Sequence, residues 1–330
     1  MFRAGFQIPN FTYPDVAPDQ LFERVAAQAV AAEQSGFEAV MVMDHFFQLP
    51  LLGPPEAEMF EAYTLLGALA ARTETAMLGT LVTGVTYRNP AILAKEVTAV
   101  DVISKGRAFL GIGAAWFDVE HEALGVDFPP VKQRFEMLEE SLTICRAMFR
   151  DERPTFEGTH FRVKGAFNAP APIRPGGPPI MIGGQGEKKT LRLMAQHAEM
   201  ANFTSGPSEL AHKVEVLLAH CEDVGRDPAE ITKTSLASLA LAPTMEAAEA
   251  KRNAFLAERG LDWDSLDDAT RAMVGDRLIV GDADACAEKI TAILDLGLDG
   301  ICVNLPGDGG DVEAVSAAGE LVSSVVGARS

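Results

Sequence analysis

The sequence predicts an α/β fold, a (β/α)8 TIM barrel with insertion segments, and three observations lead there. Short apolar runs bounded by turn residues recur along the chain, each followed by a segment of helical periodicity. The runs are apolar on both faces, as in Val40-Met41-Val42-Met43, the pattern of strands in a covered parallel sheet. About eight such units follow one another evenly with no linker-like tract between them, and eight strands close a cylinder. The chain has 330 residues, 48% of them hydrophobic, enough for a large core in one domain spanning 1–330. An open doubly wound sheet is the structural alternative.

In chain order, residues 2–8 form the first strand, ended by Pro9, and a helix follows from Pro18-Asp19 to Gly36. Its Leu21, Val25, Ala29 and Ala32 share one face, with Glu23, Arg24 and Gln28 off it. The second strand spans 39–43, and a loop rich in Pro and Gly leads to a helix over 61–72. The third strand covers 76–82, and Pro90 opens the next helix, to 103. The fourth strand, 107–112, precedes a helix striped by Phe135, Leu138, Leu142, Cys145 and Phe149.

The alternation pauses over 151–179, an expected insertion made of a hairpin at 155–163 and a Pro/Gly-rich excursion. It resumes with a strand at 180–182, a glycine turn and a helix over 188–197. A strand at 200–203 leads to a helix over 210–224 capped by Ser208, and a strand at 231–241 to a helix over 246–259. Residues 262–276 read as an acidic surface helix, 284–296 as another helix, 300–305 as the eighth strand and 312–326 as the closing helix.

The net charge of −19 and the lack of any basic block argue against a nucleic-acid partner, because phosphate binding needs clustered Lys and Arg. No run approaches the roughly 18 apolar residues of a membrane span, and the N-terminus lacks the pattern of a signal peptide, so no membrane partner and a cytoplasmic location are expected. Cys145, Cys221, Cys286 and Cys302 are scattered without a CxxC pair and read as small buried hydrophobes. The adjacent Glu120-His121 lacks the HExxH spacing, so no metal site is expected. No G-x-S-x-G marks a serine hydrolase.

In a barrel the loops after the strands share one mouth. Asp44-His45, the segment from Thr83 to Asn89, Gly113-Ala114-Ala115-Trp116, Gly183-Gly184-Gln185-Gly186, Asn202 and Asn304 all fall there. His45 is suited to proton exchange, or is a structural histidine at a strand end. The turn at 183–186, before a helix and followed by Lys188-Lys189, offers backbone N–H groups to an anion, or is only a tight turn. Trp116 either plugs the mouth or walls a flat ring.

Several stretches carry a resemblance across essentially the whole chain: Phe6-Gln7-Ile8-Pro9-Asn10-Phe11, Val42-Met43-Asp44-His45-Phe46, and Leu78-Gly79-Thr80-Leu81-Val82-Thr83. Tyr87-Arg88-Asn89-Pro90, Leu110-Gly111-Ile112-Gly113-Ala114-Ala115-Trp116, and the run from Pro179 through Leu191 continue it. In this order and spacing the chain resembles the luciferase-like monooxygenase superfamily, in particular its actinobacterial coenzyme F420-dependent oxidoreductases. The resemblance implies a barrel holding F420, or FMN as the alternative, at its mouth and acting on a small-molecule substrate. It implies Asp44 and His45 beside the ring, His45 handling a proton. It further implies a bulge at Leu81-Val82-Thr83 with a non-proline cis peptide backing the ring. Gly113, Ala114, Ala115 and Trp116 would line the cofactor, and Gly183, Gly184, Gln185 and Gly186 would grip its phosphate. The family commonly forms dimers, so a homodimer is expected. Ala115 stands where relatives often have Gly, and Glu199 where they often have Asp. An FMN monooxygenase and a non-catalytic cofactor-binding barrel are the competing functions.

Overall fold

In the computed structural model, which describes residues 1–13, 15–150, 152–308 and 310–329, short strands alternate with helices along the chain. The first strands are β1 (Ala4–Ile8), β2 (Ala39–Val42), β3 (Met77–Thr80), β4 (Thr83–Gly84) and β5 (Leu110–Gly113). A hairpin of β6 (Phe156–Glu157) and β7 (Arg162–Val163) follows, then β8 (Ile180–Gly183), β9 (Met200–Phe203) and β10 (Thr232–Leu241). The last two are β11 (Leu278–Gly281) and β12 (Gly300–Asn304). The helices that matter for the mouth are α1 (Leu21–Gln34), α2 (Ala62–Ala70), α3 (Pro90–Ile103), α4 (Asp118–Leu124) and α5 (Val131–Phe149). They are followed by α6 (Thr190–His197), α7 (Pro207–Val224) and α8 (Met245–Ala257). The remaining helices are α9 (Asp268–Gly275), α10 (Ala283–Leu294) and α11 (Val312–Gly327).

The main sheet is parallel in every pairing and runs β3-β2-β1-β12-β10-β9-β8-β5-β4. β3 and β4 are two halves of one broken strand. The Leu78 N–H donates to the Arg107 carbonyl at 2.9 Å and the Phe109 N–H to the Leu78 carbonyl at 3.0 Å, joining β3 to the start of the fourth barrel strand. That contact closes the cylinder, and the TIM-barrel expectation is met.

The strand alternation sorts side chains between two layers. Ala39, Met41, Phe109, Met181, Met200 and Cys302 fill the interior, while Val40, Val42, Leu110, Ile112, Ile180 and Ile182 meet the surrounding helices. The interior methionines and phenylalanine need room. A Cβ on Gly5 would lie 2.6 Å from the Met41 methyl, and one on Gly79 would lie 2.7 Å from the Phe109 ring, so only hydrogen fits. At the carboxyl end a buried polar layer replaces the apolar one. Gln7 donates to the Leu81 carbonyl at 3.0 Å and accepts from Asn304 at 2.8 Å, while Asn202 donates to Thr234 at 3.0 Å.

Several sequence expectations are corrected. The third strand does not run through 82 but breaks at Leu81 and Val82. A ninth parallel strand, β11, pairs with the far half of β10 (Ser238 opposite Leu278), because β10 has ten residues and outgrows its neighbours. The short run Leu278-Ile279-Val280 was the available signal. α4 precedes α5, where a single helix was expected. α6 begins at Thr190 rather than 188, and Gly206, not Ser208, stands at the α7 N-cap, with Pro207 at its first position. The expected insertion starts at residue 151, which lies outside the described residues; beyond it the hairpin is present as β6 and β7. The four cysteines are free and buried. Among the described residues no helix is long and apolar enough to cross a membrane.

Candidate active site

Strand β2 ends at Val42, and the chain then delivers Asp44 to the interior of the rim with 1% of its surface exposed. A buried carboxylate needs a partner, and Arg88 supplies one. Its two terminal nitrogens reach the two Asp44 oxygens at 2.6 and 3.1 Å, a bidentate pair. The same guanidinium meets Glu61 at 2.5 Å and Glu96 at 3.1 Å and stacks over the Tyr63 ring at 4.8 Å. Burial raises the Asp44 pKa against the pull of Arg88, and it raises that of Glu96 likewise. Burial alone would lower the Arg88 pKa, but Asp44 outweighs it and the net shift is upward. Asp44 is therefore committed to anchoring the loop before α3.

The next residue has a different set of neighbours. The His45 Nδ1 lies 2.7 Å from the Glu120 Oε1. Glu120, fully buried near the start of α4, also accepts the Tyr87 hydroxyl on Oε1, and on Oε2 the backbone N–H groups of Phe46 at 2.7 Å and Phe47 at 3.2 Å. Burial would raise the pKa of this carboxyl, but these donors together bring it below its ordinary value. An ionised Glu120 requires the proton on the His45 Nδ1, which leaves Nε2 as the exchangeable nitrogen. Nε2 has no hydrogen-bond partner among the described residues. The rings of Trp116 and Phe117 stand edgewise to the imidazole at 5.9 and 5.8 Å. His121 turns away from Glu120, with Nδ1 donating to the Phe117 carbonyl at 2.7 Å and Nε2 2.6 Å from the Thr86 hydroxyl.

The break in the third strand builds the floor. The Leu81–Val82 peptide is cis, as the resemblance implies, and Thr83 turns its hydroxyl to Tyr63 at 2.7 Å and to Thr80 at 3.0 Å. The Val82 side chain lies across two glycines. A Cβ on Gly183 would sit 2.9 Å from it, and one on Gly113 would sit 3.1 Å away. The strand ends at 82, 113 and 183 therefore meet as bare backbone around one side chain. Ala114 and Ala115 continue from Gly113; the Ala114 carbonyl accepts from Arg134 at 3.0 Å, and Ala115 has a left-handed backbone with φ 59°. A glycine would fit that conformation at lower cost. Trp116 does not plug the mouth, since 63% of its surface is exposed.

The turn after β8 is built differently. Gly184 has φ +138°, its N–H donates to the Asn202 carbonyl at 3.0 Å, and the Thr190 methyl would lie 3.0 Å from any Cβ placed there. Gln185 and Gly186 are exposed, and the Gln185 Oε1 accepts from Ser205 at 2.8 Å. Glu187 is held by Lys213 at 2.6 Å, which leaves the exposed Lys188 and Lys189 at the head of α6.

The structure thus joins Val82, Gly113 and Gly183 directly, and links Asp44 to Arg88 and His45 to Glu120. The two groups meet at Gly84, where a Cβ would touch the Tyr87 ring at 2.6 Å and the Ala115 methyl at 3.2 Å. Tyr87 and Arg88 lie in the segment from Thr83 to Asn89 that the sequence places at the mouth, whereas Glu120 is not among the site residues the sequence points to. Glu120 lies in a short helix that also carries Asp118 and Glu122 and has no sequence spacing to His45, so no local signal singles it out.

A family model described as luciferase-like monooxygenase matches residues 3–300. The chain is 31% identical over 311 residues to an F420-dependent glucose-6-phosphate dehydrogenase of Nakamurella multipartita, covering 86% of each. It is 27% identical over 327 residues to a 5,10-methylenetetrahydromethanopterin reductase of Methanolobus tindarius, covering 88% of this chain and 93% of that one. Its fold matches the F420-dependent tetrahydromethanopterin reductase of Methanopyrus kandleri with a TM-score of 0.77 at 21% identity over 99% of both chains. The chain belongs to the luciferase-like monooxygenase family.

Proposed function

We propose that this protein is an F420-dependent oxidoreductase that moves a hydride between the cofactor and a small organic substrate at the barrel mouth, with His45 handling the accompanying proton. The observation that carries this reading is the His45–Glu120 pair: a buried, fully hydrogen-bonded carboxylate fixes one imidazole nitrogen and leaves the other without a partner among the described residues, beside an exposed Trp116. The relatives at 27–31% identity named above, which take F420 or a pterin in their names, support the choice of reaction.

The residues present suit a flat cofactor bearing an anionic tail. Val82, Gly113 and Gly183 form a floor without projecting polar side chains. The Asn202 Oδ1 is buried at the end of β9 with no hydrogen-bond partner among the described residues, an acceptor open to a donor from a bound cofactor. Gln185, Gly186 and the Lys188-Lys189 pair provide N–H groups and charge for a phosphate, while the Gly184 N–H holds the turn to the Asn202 carbonyl. When bound, F420 supplies a two-electron hydride donor or acceptor. The chain's own work is then to orient substrate against Trp116 and to give or take one proton at the His45 Nε2. Glu120 holds the tautomer that makes Nε2 available, and Arg88 keeps Asp44 and the loop beneath it in place. We further propose a single barrel domain, cytoplasmic and homodimeric.

FMN is the second reading, since a shared ring and first phosphate would use the same floor. Titrating the protein with each cofactor separates them. Tight binding of F420, with FMN at least tenfold weaker, is the expected result; tight FMN binding without F420 binding would overturn the choice.

A further inference from the structure

Resting on the F420 reading, we infer that the substrate is an uncharged molecule with an apolar ring-bearing face, not a phosphorylated or carboxylated one. Two independent features of the rim beside His45 lead there.

The first is its charge. Asp44, Glu61 and Glu96 gather on the single guanidinium of Arg88, and Glu120 stands on the other side of Tyr87. Three carboxylates thus share one arginine whose donors are already occupied, and a fourth, Glu120, stands nearby bonded to His45 and Tyr87. The Arg134 guanidinium, which approaches from α5, donates to the Ala114 and Pro129 carbonyls and lies 4.0 Å over the Phe128 ring. Across the rim, Lys251 is bonded to the Leu241 carbonyl at 2.7 Å and to Asp308 at 2.8 Å. Arg259 gives its N–H groups to the carbonyls of Leu51, Leu52 and Phe255. These cations, near His45 and across the rim, are therefore turned into the protein, and an anionic substrate group at His45 would meet net negative charge. Like charge against the wrong ligand is an effective way to reject it.

The second is the surface itself. Phe46 packs edgewise on Tyr87 at 5.2 Å, Phe117 and Trp116 flank the imidazole, and Val119 on the next helical turn is 52% exposed. An exposed Trp beside a catalytic imidazole, rimmed by further aromatics, is a platform for an apolar ring. Lys188 and Lys189, at the head of α6, belong to the cofactor tail in this reading.

A matched set of probes tests it. The chain has two tryptophans, so in the W263F variant Trp116 is the sole emitter. F420 binding to this variant is measured first, from the cofactor's own fluorescence; its absence would be a failure of the cofactor reading and not of the substrate inference. The F420-loaded protein is then titrated with cyclohexanol, with cyclohexyl phosphate and with glucose 6-phosphate. Cyclohexanol should shift Trp116 emission and bind at least tenfold more tightly than either phosphate, and W116A should weaken cyclohexanol at least tenfold by calorimetry. Equal or tighter binding of cyclohexyl phosphate or glucose 6-phosphate overturns the inference. So does F420-loaded protein whose Trp116 emission responds to none of the three.

Discussion

The rim after β2 to β5 and the turn after β8 belong to one mouth, yet they are built by opposite means. The first is a knot of charged and aromatic side chains paired with one another: Asp44 with Arg88, His45 through Nδ1 with Glu120, Tyr87 with Glu120. The second is nearly all backbone, with Gly184 at φ +138° and exposed Gln185 and Gly186. The lesson is a division of labour. Under the proposed function, proton handling at His45 needs a side chain held in one orientation, whereas phosphate recognition at the turn needs N–H groups that no side chain obstructs.

The comparison can be broken first at His45. Replacing it with Ala should lower turnover by about 10²–10⁴-fold, the usual range for a general acid or base, while F420 affinity, which the proposed function assigns to the backbone side, changes by less than threefold. Steady-state kinetics with a cofactor titration would show it, and an affinity loss as large as the rate loss would mean the two regions are not separable.

Arg88→Ala attacks the knot's structure instead. It strands the buried Asp44 carboxylate and should destabilise the fold by about 3–5 kcal/mol, the cost of removing one partner of a buried pair. Urea unfolding measures this, and a loss below 1 kcal/mol would show that the carboxylates need no counter-charge.

Glu120→Gln is subtler. With the tautomer no longer enforced, turnover should drop on the order of 10–100-fold, corresponding to about 1.5–3 kcal/mol for a hydrogen bond to a charged group. The pH dependence carries a sign. The folded-state pKa of Glu120 is lowered, so its stabilisation is present above the ordinary carboxyl value of 4.5 and is lost as pH falls through the lower folded value. Wild-type stability should therefore fall more steeply with decreasing pH between 4.5 and the lower folded value, and the Gln variant should lack that component.

The smallest effect is expected where the two regions meet. Ala115→Gly relieves a left-handed alanine, worth about 1–2 kcal/mol, but adds the backbone entropy of glycine, about 0.5–1 kcal/mol. The net gain should be about 1 kcal/mol or less, seen as a small rise in Tm. A clear loss would show that the Ala115 methyl, 3.2 Å from the Cβ that Gly84 lacks, packs usefully.

Much of this was legible in the chain. The apolar runs at 39–42, 110–113, 180–183 and 200–203 became barrel strands because a strand buried on both faces leaves an unbroken apolar signature. Asp44, His45 and the glycine turn stood out as polar or permissive residues at the ends of such runs. β11 was overlooked because it pairs beyond the reach of its neighbours, and its pairing depends on the length of β10 rather than on its own four residues.

By itself, then, the sequence determined the strand and helix order, the parallel barrel and the rim on which chemistry would gather, because periodicity and turn chemistry act over a few residues. Only the tertiary structure decided which partner each rim residue meets. Glu120 lies 75 positions from His45, and Arg88 lies 44 from Asp44. No local pattern encodes which carboxylate answers the imidazole and which answers the guanidinium; closure of the cylinder brings the charges together, and burial then forces each to find a partner.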